Sequence, residues 1–348
     1  MLTDPPSTPA RAFDPADVLV VIPTLDEAET IELCLDSLLD ADGFAQATRI
    51  VVADGGSGDA TRRIVSDLAE RRYRNLRLID NPDRLQSAAV NRAVDLMGAM
   101  RGDGVLVRCD AHARYPAGYL RGIAGALAAR PEAASVVTVL DAGGGSGFQR
   151  AAAWAVDTGL ASGGSAHRGG RRSGWVDHGH HAGFRLDWFR RLGGYDPTFS
   201  HNEDAEYDLR LARAGGRIWL DADLRVDYAM RGGLPQLWRQ YRSYGRGRAR
   251  TWLKHRAGLR LRQQVPVLNL LLLLASVAAA PFAPAALLYP AFYAAALTGV
   301  SLAAIAALRD PSGAWAGPAT GAIHLGWGSG FLQEAITGHG QRVGVQTR

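Results

Sequence analysis

The sequence has 348 residues, 47% of them hydrophobic and 21% charged, with a formal net charge of +5. That composition excludes a disordered chain, and the length leaves room for two ordinary domains. The only cysteines, Cys34 and Cys109, form neither a CxxC pair nor a zinc-ligand spacing, which excludes a disulfide scaffold and leaves two small buried groups.

Residues 1–16 are polar and Pro-rich, without the apolar stretch of a secretory signal. They are expected to form a flexible leader, with the globular part staying in the cytoplasm. Residues 18–22 (VLVVI) are a β-branched run ending at Pro23, the pattern of a strand buried on both faces. A helix is expected over 29–39, with Ile31, Cys34, Leu35, Leu38 and Leu39 at helical spacing. A second buried strand follows at 49–53, a turn cluster at 54–59 (DGGSGD), and a helix to about residue 71. Strands at 76–80 and 104–108 enclose a helix at 85–97. This alternation predicts βαβ units and a parallel sheet, with ligands outside the carboxyl ends of the strands.

The middle of the chain is less regular. Gly143, Gly144, Gly145 and Gly147, then Gly163, Gly164, Gly169 and Gly170, flank residues 148–160, as suits a mobile loop near a site. A short helix at 204–214 is closed by Gly215 and Gly216 and followed by a strand-like 217–220.

Residues 234–255 read as a basic amphipathic helix whose apolar and aromatic members are Leu234, Leu237, Trp238, Tyr241, Tyr244 and Trp252. The basic run from Arg239 to Arg262 lies directly before a long apolar segment, which points to anionic lipid headgroups and not to nucleic acid. Residues 265–285 and 287–308 read as two membrane spans or a re-entrant hairpin. Residues 318–336 are a weaker third span, interrupted by His324, Gln333 and Glu334. The alternative is a buried helical hairpin of a soluble protein.

Three clusters carry chemistry. After the fourth strand comes Cys109-Asp110-Ala111-His112. In an extended segment alternate residues point the same way, so Asp110 and His112 together can hold a divalent cation beside a diphosphate; an Asp after a strand is equally a turn former. Asp54 to Thr61 is equally turn chemistry, raised by its place after the second strand. Asn202-Glu203-Asp204 sets two carboxylates side by side, where one pKa can be pushed up to suit a base; the alternative is a helix cap. His178, His180 and His181 beside Asp177 lack the partner spacing of a zinc site and read as loop histidines near an acceptor pocket.

Taken in order, Pro23-Thr24-Leu25-Asp26-Glu27, Asp54 to Thr61, Asp110 to Ala113 and Glu203-Asp204 resemble the family 2 glycosyltransferase pattern over about residues 17–255. Arg108 to Pro116 and the stretch from Gln240 to Arg248 are similar to the ExoA-like branch, which builds bacterial exopolysaccharides such as succinoglycan. The resemblance implies an α/β GT-A domain, Rossmann-like, of the nucleotide-diphospho-sugar transferase kind. That domain would occupy 17–233, followed by a basic interfacial helix at 234–262 and a membrane region of two or three transmembrane helices at 263–340.

It further implies a UDP-sugar donor, a lipid-linked or polysaccharide acceptor, a divalent metal (Mn²⁺ or Mg²⁺) and an inner-membrane location. Pro23, Thr24 and Glu27 would line the base and ribose pocket, with Asp54 accepting from the uracil ring. Asp110 would sit at the ribose and, with His112, at the metal. Arg84, Arg242 or Arg246 would reach the diphosphate. Asp204 would be the catalytic base and Glu203 would orient the acceptor. Two departures stand out: His112 replaces the second aspartate of the usual Asp-x-Asp, and Ser243 stands where the Gln-x-x-Arg-Trp motif has arginine. Rival readings are a sugar-nucleotide synthetase, for which 24–31 lacks a triphosphate-binding signature, and a catalytically silent membrane scaffold that binds a nucleotide sugar.

Overall fold

The structure is a computed structural model and describes residues 12–39, 42–97, 103–161 and 163–343. Most of the expected leader, up to residue 11, lies outside the described residues. The elements run β1 (Val18–Thr24), α1 (Ile31–Leu39), α2 (Gly43–Ala47), β2 (Arg49–Asp54), α3 (Thr61–Arg71), β3 (Leu76–Asp80), α4 (Gln86–Leu96), β4 (Val105–Arg108), α5 (Tyr119–Ala129) and β5 (Ala133–Gly143). There follow α6 (Gly147–Asp157), β6 (Gly174–Val176), β7 (His180–Arg185), α7 (Leu186–Arg191), α8 (Glu203–Arg213), β8 (Arg217–Ala229) and α9 (Leu234–His255). The last helices are α10 (Leu261–Ala279), α11 (Leu288–Leu308) and α12 (Ala316–Val343).

One eight-stranded sheet has the order β3-β2-β1-β4-β7-β5-β8-β6. Strand β1 pairs parallel with β2 and β4, and Val18 to Ile22 are all 0% exposed, as the unbroken β-branched run demands. The parallel half matches the strand–helix alternation of the sequence. Beyond it the expected all-parallel sheet gives way to a mixed one, because β7 runs antiparallel to β4 and β5, and β6 antiparallel to β8. Strand β7 inserts between β4 and β5 while β6 lies at the sheet edge against β8, so the chain beyond β5 leaves the simple strand–helix alternation. Strand β8 also runs nine residues past the expected 220. Its aspartates alternate with buried Ile218, Leu220, Ala222 and Val226, the mark of a half-exposed strand.

The chain forms two compact units. The first holds the chain up to Leu140 together with Arg171–Asp227. Its core includes Phe184, Phe189, Tyr195 and Tyr207, whose rings meet mostly edge-on at 5.2–6.1 Å and fix α7 and α8 against β7.

The second unit takes Asp141–Gly170 and the chain from Tyr228 on. The sequence placed 141–170 in the transferase domain. The structure groups it with the C-terminal helices because α6 buries an alanine face, Ala151, Ala152, Ala153 and Ala155, in one cluster with Ala304, Ala316, Ala319 and Ile323. Helix α9 is not a lone surface helix: it packs along α12 at backbone distance. A Cβ on Gly245 would stand 2.0 Å from the Trp327 carbonyl oxygen, and one on Gly330 2.0 Å from that of Arg242. Two segments, Leu261–Ala279 and Pro284–Leu308, are long and apolar enough to cross a membrane, and each is only 6% buried. The third expected span lies within α12, which does not meet that test; it buries Ala316, Ala319, Thr320, Ile323, Phe331 and Glu334.

Candidate active site

The parallel register aligns Thr24, Asp54 and Asp80 in one row at the carboxyl ends of β1, β2 and β3. The loops that follow β1 and β2 are laced together. The Asp26 amide donates to Ser57 Oγ (2.9 Å), Gly58 to Asp26 Oδ1 (2.7 Å), Glu27 to Thr61 Oγ1 (2.8 Å) and Ala28 to Asp59 Oδ2 (3.0 Å). Asp26 adopts φ 57°, a left-handed turn that this lacing holds in place.

Asp54 is buried, and its carboxylate accepts from the Gly56 and Ser57 amides, from Ser57 Oγ and from Arg62 Nη1, which also reaches Asp80 at 2.9 Å. Burial works against its charge, but the hydrogen bonds from Ser57, Arg62 and Gly56 outweigh it and hold the carboxyl below its ordinary value. The resemblance gives Asp54 to a uracil ring; here both of its oxygens serve the loop. Thr24 Oγ1 donates to Asp54 at 3.4 Å, and Pro23 is part-buried beside it. Arg84 sits at φ 60° with an exposed side chain, over Gly55 and Gly56.

After β4, Arg108 is 3% exposed and donates from Nη2 to Asp110 Oδ1 at 2.8 Å, with Glu203 Oε1 at 3.9 Å. Gln86 Nε2 donates to the same Asp110 oxygen at 3.3 Å. The pairing of Asp110 with His112 needs correction. Residues 110–113 make a turn, closed by the Ala113 amide on the Asp110 carbonyl, so the two side chains do not share a face. His112 instead meets Glu27, Nδ1 to Oε1, at 3.1 Å. Glu27 also accepts from Thr30 Oγ1; burial raises its pKa, but His112 and Thr30 outweigh this and the net shift is downward.

The other side of the site comes from β7 and α8. His180 Nδ1 lies 2.7 Å from Asp204 Oδ2 and its Nε2 3.6 Å from Asp110 Oδ2. Burial opposes charge on this ring, yet Asp110 and Asp204 outweigh it and push its pKa up to about 9. Two residues earlier His178 Nδ1 meets Asp208 Oδ2, also at 2.7 Å. Asn202, which precedes Glu203 in the left-handed conformation at φ 61°, makes no side-chain cap, but Glu203 and Asp204 stand in the first turn of α8 and the Ala205 amide donates to Asp204 Oδ1 at 2.7 Å, so the cluster also carries the favourable charges of a helix N-terminus. The adjacent carboxyls diverge. Burial pushes Glu203 up despite Arg108, whereas in Asp204 burial is overcome by His180, His178 and Arg108 and the carboxyl is held far down. The sequence singled out the pair and left open which member would be raised.

Arg242 and Arg246 lie on α9 in the second unit, where Arg242 Nη2 donates to Gln333 Oε1 at 2.7 Å and Arg246 Nε to Glu334 Oε2 at 3.2 Å. Gln240 Nε2 donates to the hydroxyls of Tyr228 and Tyr244. Sequence reasoning missed the involvement of Arg108, Gln86 and Asp208. Only the alternation of His178 and His180 ahead of a helix with Asp204 and Asp208 one turn apart signalled the last of these.

Among the described residues no group of three or more His, Cys, Asp or Glu side chains is arranged to hold a metal ion. Mg²⁺-type sites commonly use one or two carboxylates and complete the shell with substrate phosphates and water, and Asp110 fits as one such oxygen ligand. His112, turned to Glu27, does not fit as its companion.

The sequence profile described as Glycosyl transferase family 2 matches residues 19–193. The chain belongs to that family, and it is a glycosyltransferase. The succinoglycan biosynthesis protein ExoA of Rhizobium meliloti (strain 1021) is 44% identical over 328 residues, covering 91% of this chain and 94% of that protein. Among solved structures, the mannosyltransferase PcManGT from Pyrobaculum calidifontis, in complex with GDP-Man and Mn²⁺, has a TM-score of 0.57 at 23% identity, over 94% of this chain and 90% of its own. The mixed sheet is thus that of the GT-A fold.

Proposed function

We propose that the protein transfers a hexose, glucose or a related sugar, from a UDP-sugar to a lipid-linked or polysaccharide acceptor in exopolysaccharide synthesis, with inversion at the anomeric carbon. The reaction would take place at the inner membrane with the catalytic unit in the cytoplasm. One observation carries this reading: a strand-end carboxylate, Asp110, and a helix carboxylate, Asp204, face opposite nitrogens of a single imidazole. Donor-side and acceptor-side chemistry converge there. The ExoA likeness supports the polysaccharide context, and the two apolar helices support the membrane.

Pro23, Thr24 and Glu27 line the nucleoside side, with the Asp54-centred loop as its floor, and the exposed Arg84 guanidinium reaches toward phosphate. Asp110 would contribute one oxygen to a divalent cation, Mn²⁺ or Mg²⁺, which when bound would supply positive charge for the departing diphosphate. An acceptor hydroxyl attacks the anomeric carbon opposite the leaving group as the bond to the diphosphate oxygen breaks, and its proton passes to Asp204. Glu203, buried and with its pKa raised by that burial, orients the acceptor. A base held far below the ordinary range is ionised at every working pH but pulls weakly on the proton, so positioning has to provide much of the rate. Arg242 and Arg246, engaged with Gln333 and Glu334, would have to exchange those partners to take part in diphosphate binding.

The test is a donor panel of UDP- and GDP-hexoses with Mn²⁺ or Mg²⁺, using native membranes as acceptor source, with product analysis. Transfer from a UDP-hexose that gives the inverted linkage is expected. Transfer from GDP-hexoses alone overturns the donor assignment, and donor binding with neither transfer nor hydrolysis overturns catalysis.

A further inference from the structure

We infer that His180 is a positioning residue that sets the orientation of Asp204 through Nδ1 and registers it against Asp110 through Nε2. The inference rests on the reading of Asp204 as the base. Its starting point is geometric: one ring stands between two carboxylates from different elements, the loop after β4 and helix α8, at 2.7 Å from Asp204 Oδ2 and 3.6 Å from Asp110 Oδ2.

The pair is one of two in register. His178 and His180 are two residues apart at the entrance to β7, and Asp208 and Asp204 are one turn apart on α8. Two residues of extended chain advance about 6.6 Å and four helical residues about 6 Å, so the two imidazoles match the two carboxylates without strain. The His178–Asp208 pair is the deeper anchor, with the Asp208 side chain 5% exposed and further held by the Gly179 amide at 3.4 Å. A Cβ on Gly179 would stand 2.3 Å from Val137 Cγ2, so the chain between the histidines is pressed onto β5 and has little freedom to slide. The ladder therefore fixes both the axial position of α8 and the direction of the Asp204 carboxylate.

Histidine suits this place because its two nitrogens lie on opposite sides of a rigid ring, so a single side chain reaches both acids. An amide reproduces only one contact at a time: the Asn nitrogen takes the place of Nδ1, and the Gln nitrogen that of Nε2. A residue that merely fills space does not distinguish these two replacements.

The experiment measures kcat and donor KM for His180→Asn and His180→Gln, using the UDP-hexose that the panel selects, with UDP–Mn²⁺ binding by calorimetry. His180→Asn is expected to keep kcat within about 10-fold of wild type, whereas His180→Gln loses about 100-fold in kcat with donor KM changed by no more than about 3-fold. Equal loss in both variants, or a Gln variant as fast as wild type, overturns the role of Nδ1. Should the amide variants fail to fold, His180→Ala with imidazole in solution gives the same readout: recovery of kcat supports the role, and no recovery in the folded variant overturns it. Asp204→Asn is assayed alongside. Full activity in that variant removes the base reading itself, an outcome distinct from a failure confined to His180.

Discussion

Glu27 and His112 stand 85 positions apart in the chain and meet at 3.1 Å, Oε1 to Nδ1, joining the loops that follow β1 and β4. The contact takes His112 away from the cation-ligand role its sequence position suggests. His112→Ala is therefore expected to leave Mn²⁺-dependent UDP binding within about 3-fold, while Asp110→Ala weakens it at least about 10-fold. Calorimetric titration of UDP at several Mn²⁺ concentrations decides the matter. Equal losses in the two variants would restore His112 as a ligand.

Asp204→Asn removes the proposed base and leaves the nucleoside side untouched. It is expected to lower kcat by about 10²- to 10⁴-fold with UDP affinity near wild type. A rate equal to wild type would show that another group takes the proton. Glu203→Gln, which keeps the shape of the buried carboxyl, should cost far less than Glu203→Ala, as read by acceptor KM.

Asp54 gives a pH prediction. Its folded-state pKa lies below the ordinary value of 3.8, so its ionised form adds stability that is complete above that value and is lost as pH falls through the folded pKa. Asp54→Asn should lower the thermal midpoint by about 5 °C at neutral pH, because the Ser57, Gly56 and Arg62 donors lose a charged acceptor. The gap between variant and wild type should narrow as the pH is taken below 3.8. Thermal unfolding across that range tests it, and a gap that widens in acid contradicts the assignment.

Gly330→Ala places a methyl group 2.0 Å from the Arg242 carbonyl oxygen, so α9 and α12 must part. A loss of about 1–3 kcal/mol is expected, read as an earlier unfolding midpoint in detergent. Gly299→Ala on α11 is the control. Nothing lies within 4 Å of its added Cβ, and alanine is the better helix former, so it should be neutral or stabilising.

The parallel half of the sheet was legible because its strands are unbroken apolar runs, and the strand-end residues Thr24, Asp54 and Asp110 could be placed from them. What sequence did not disclose depends on turns and on contacts between distant segments. Alternation licenses a shared face only in extended chain, and residues 110–113 turn, so Asp110 and His112 part. Strand β5 carries a readable β-branched run from Val136 to Leu140, whereas β8 hides behind its alternating aspartates. His180 looked like one of three loop histidines. Its meaning appears only when β7 is set between β4 and β5 and faces α8. In α9 the arginines suggested a lipid surface, while the glycines that let it pack on α12 gave no hydropathy signal at all.

That packing has a practical consequence for anyone seeking a water-soluble form. The two apolar helices lie between α9 and α12 in sequence, yet α9 and α12 pack on each other, and α6 shares a buried cluster with α12. Cutting the chain after α9 would strip the glycine face of one helix and the alanine face of another. Internal excision of about residues 261–315 would keep the α9–α12 contact, but it would take Ala304 out of the α6 cluster and remove the Asp310 partner of Arg150 and the Trp315 partner of Phe148, so a soluble form needs new cover over α6.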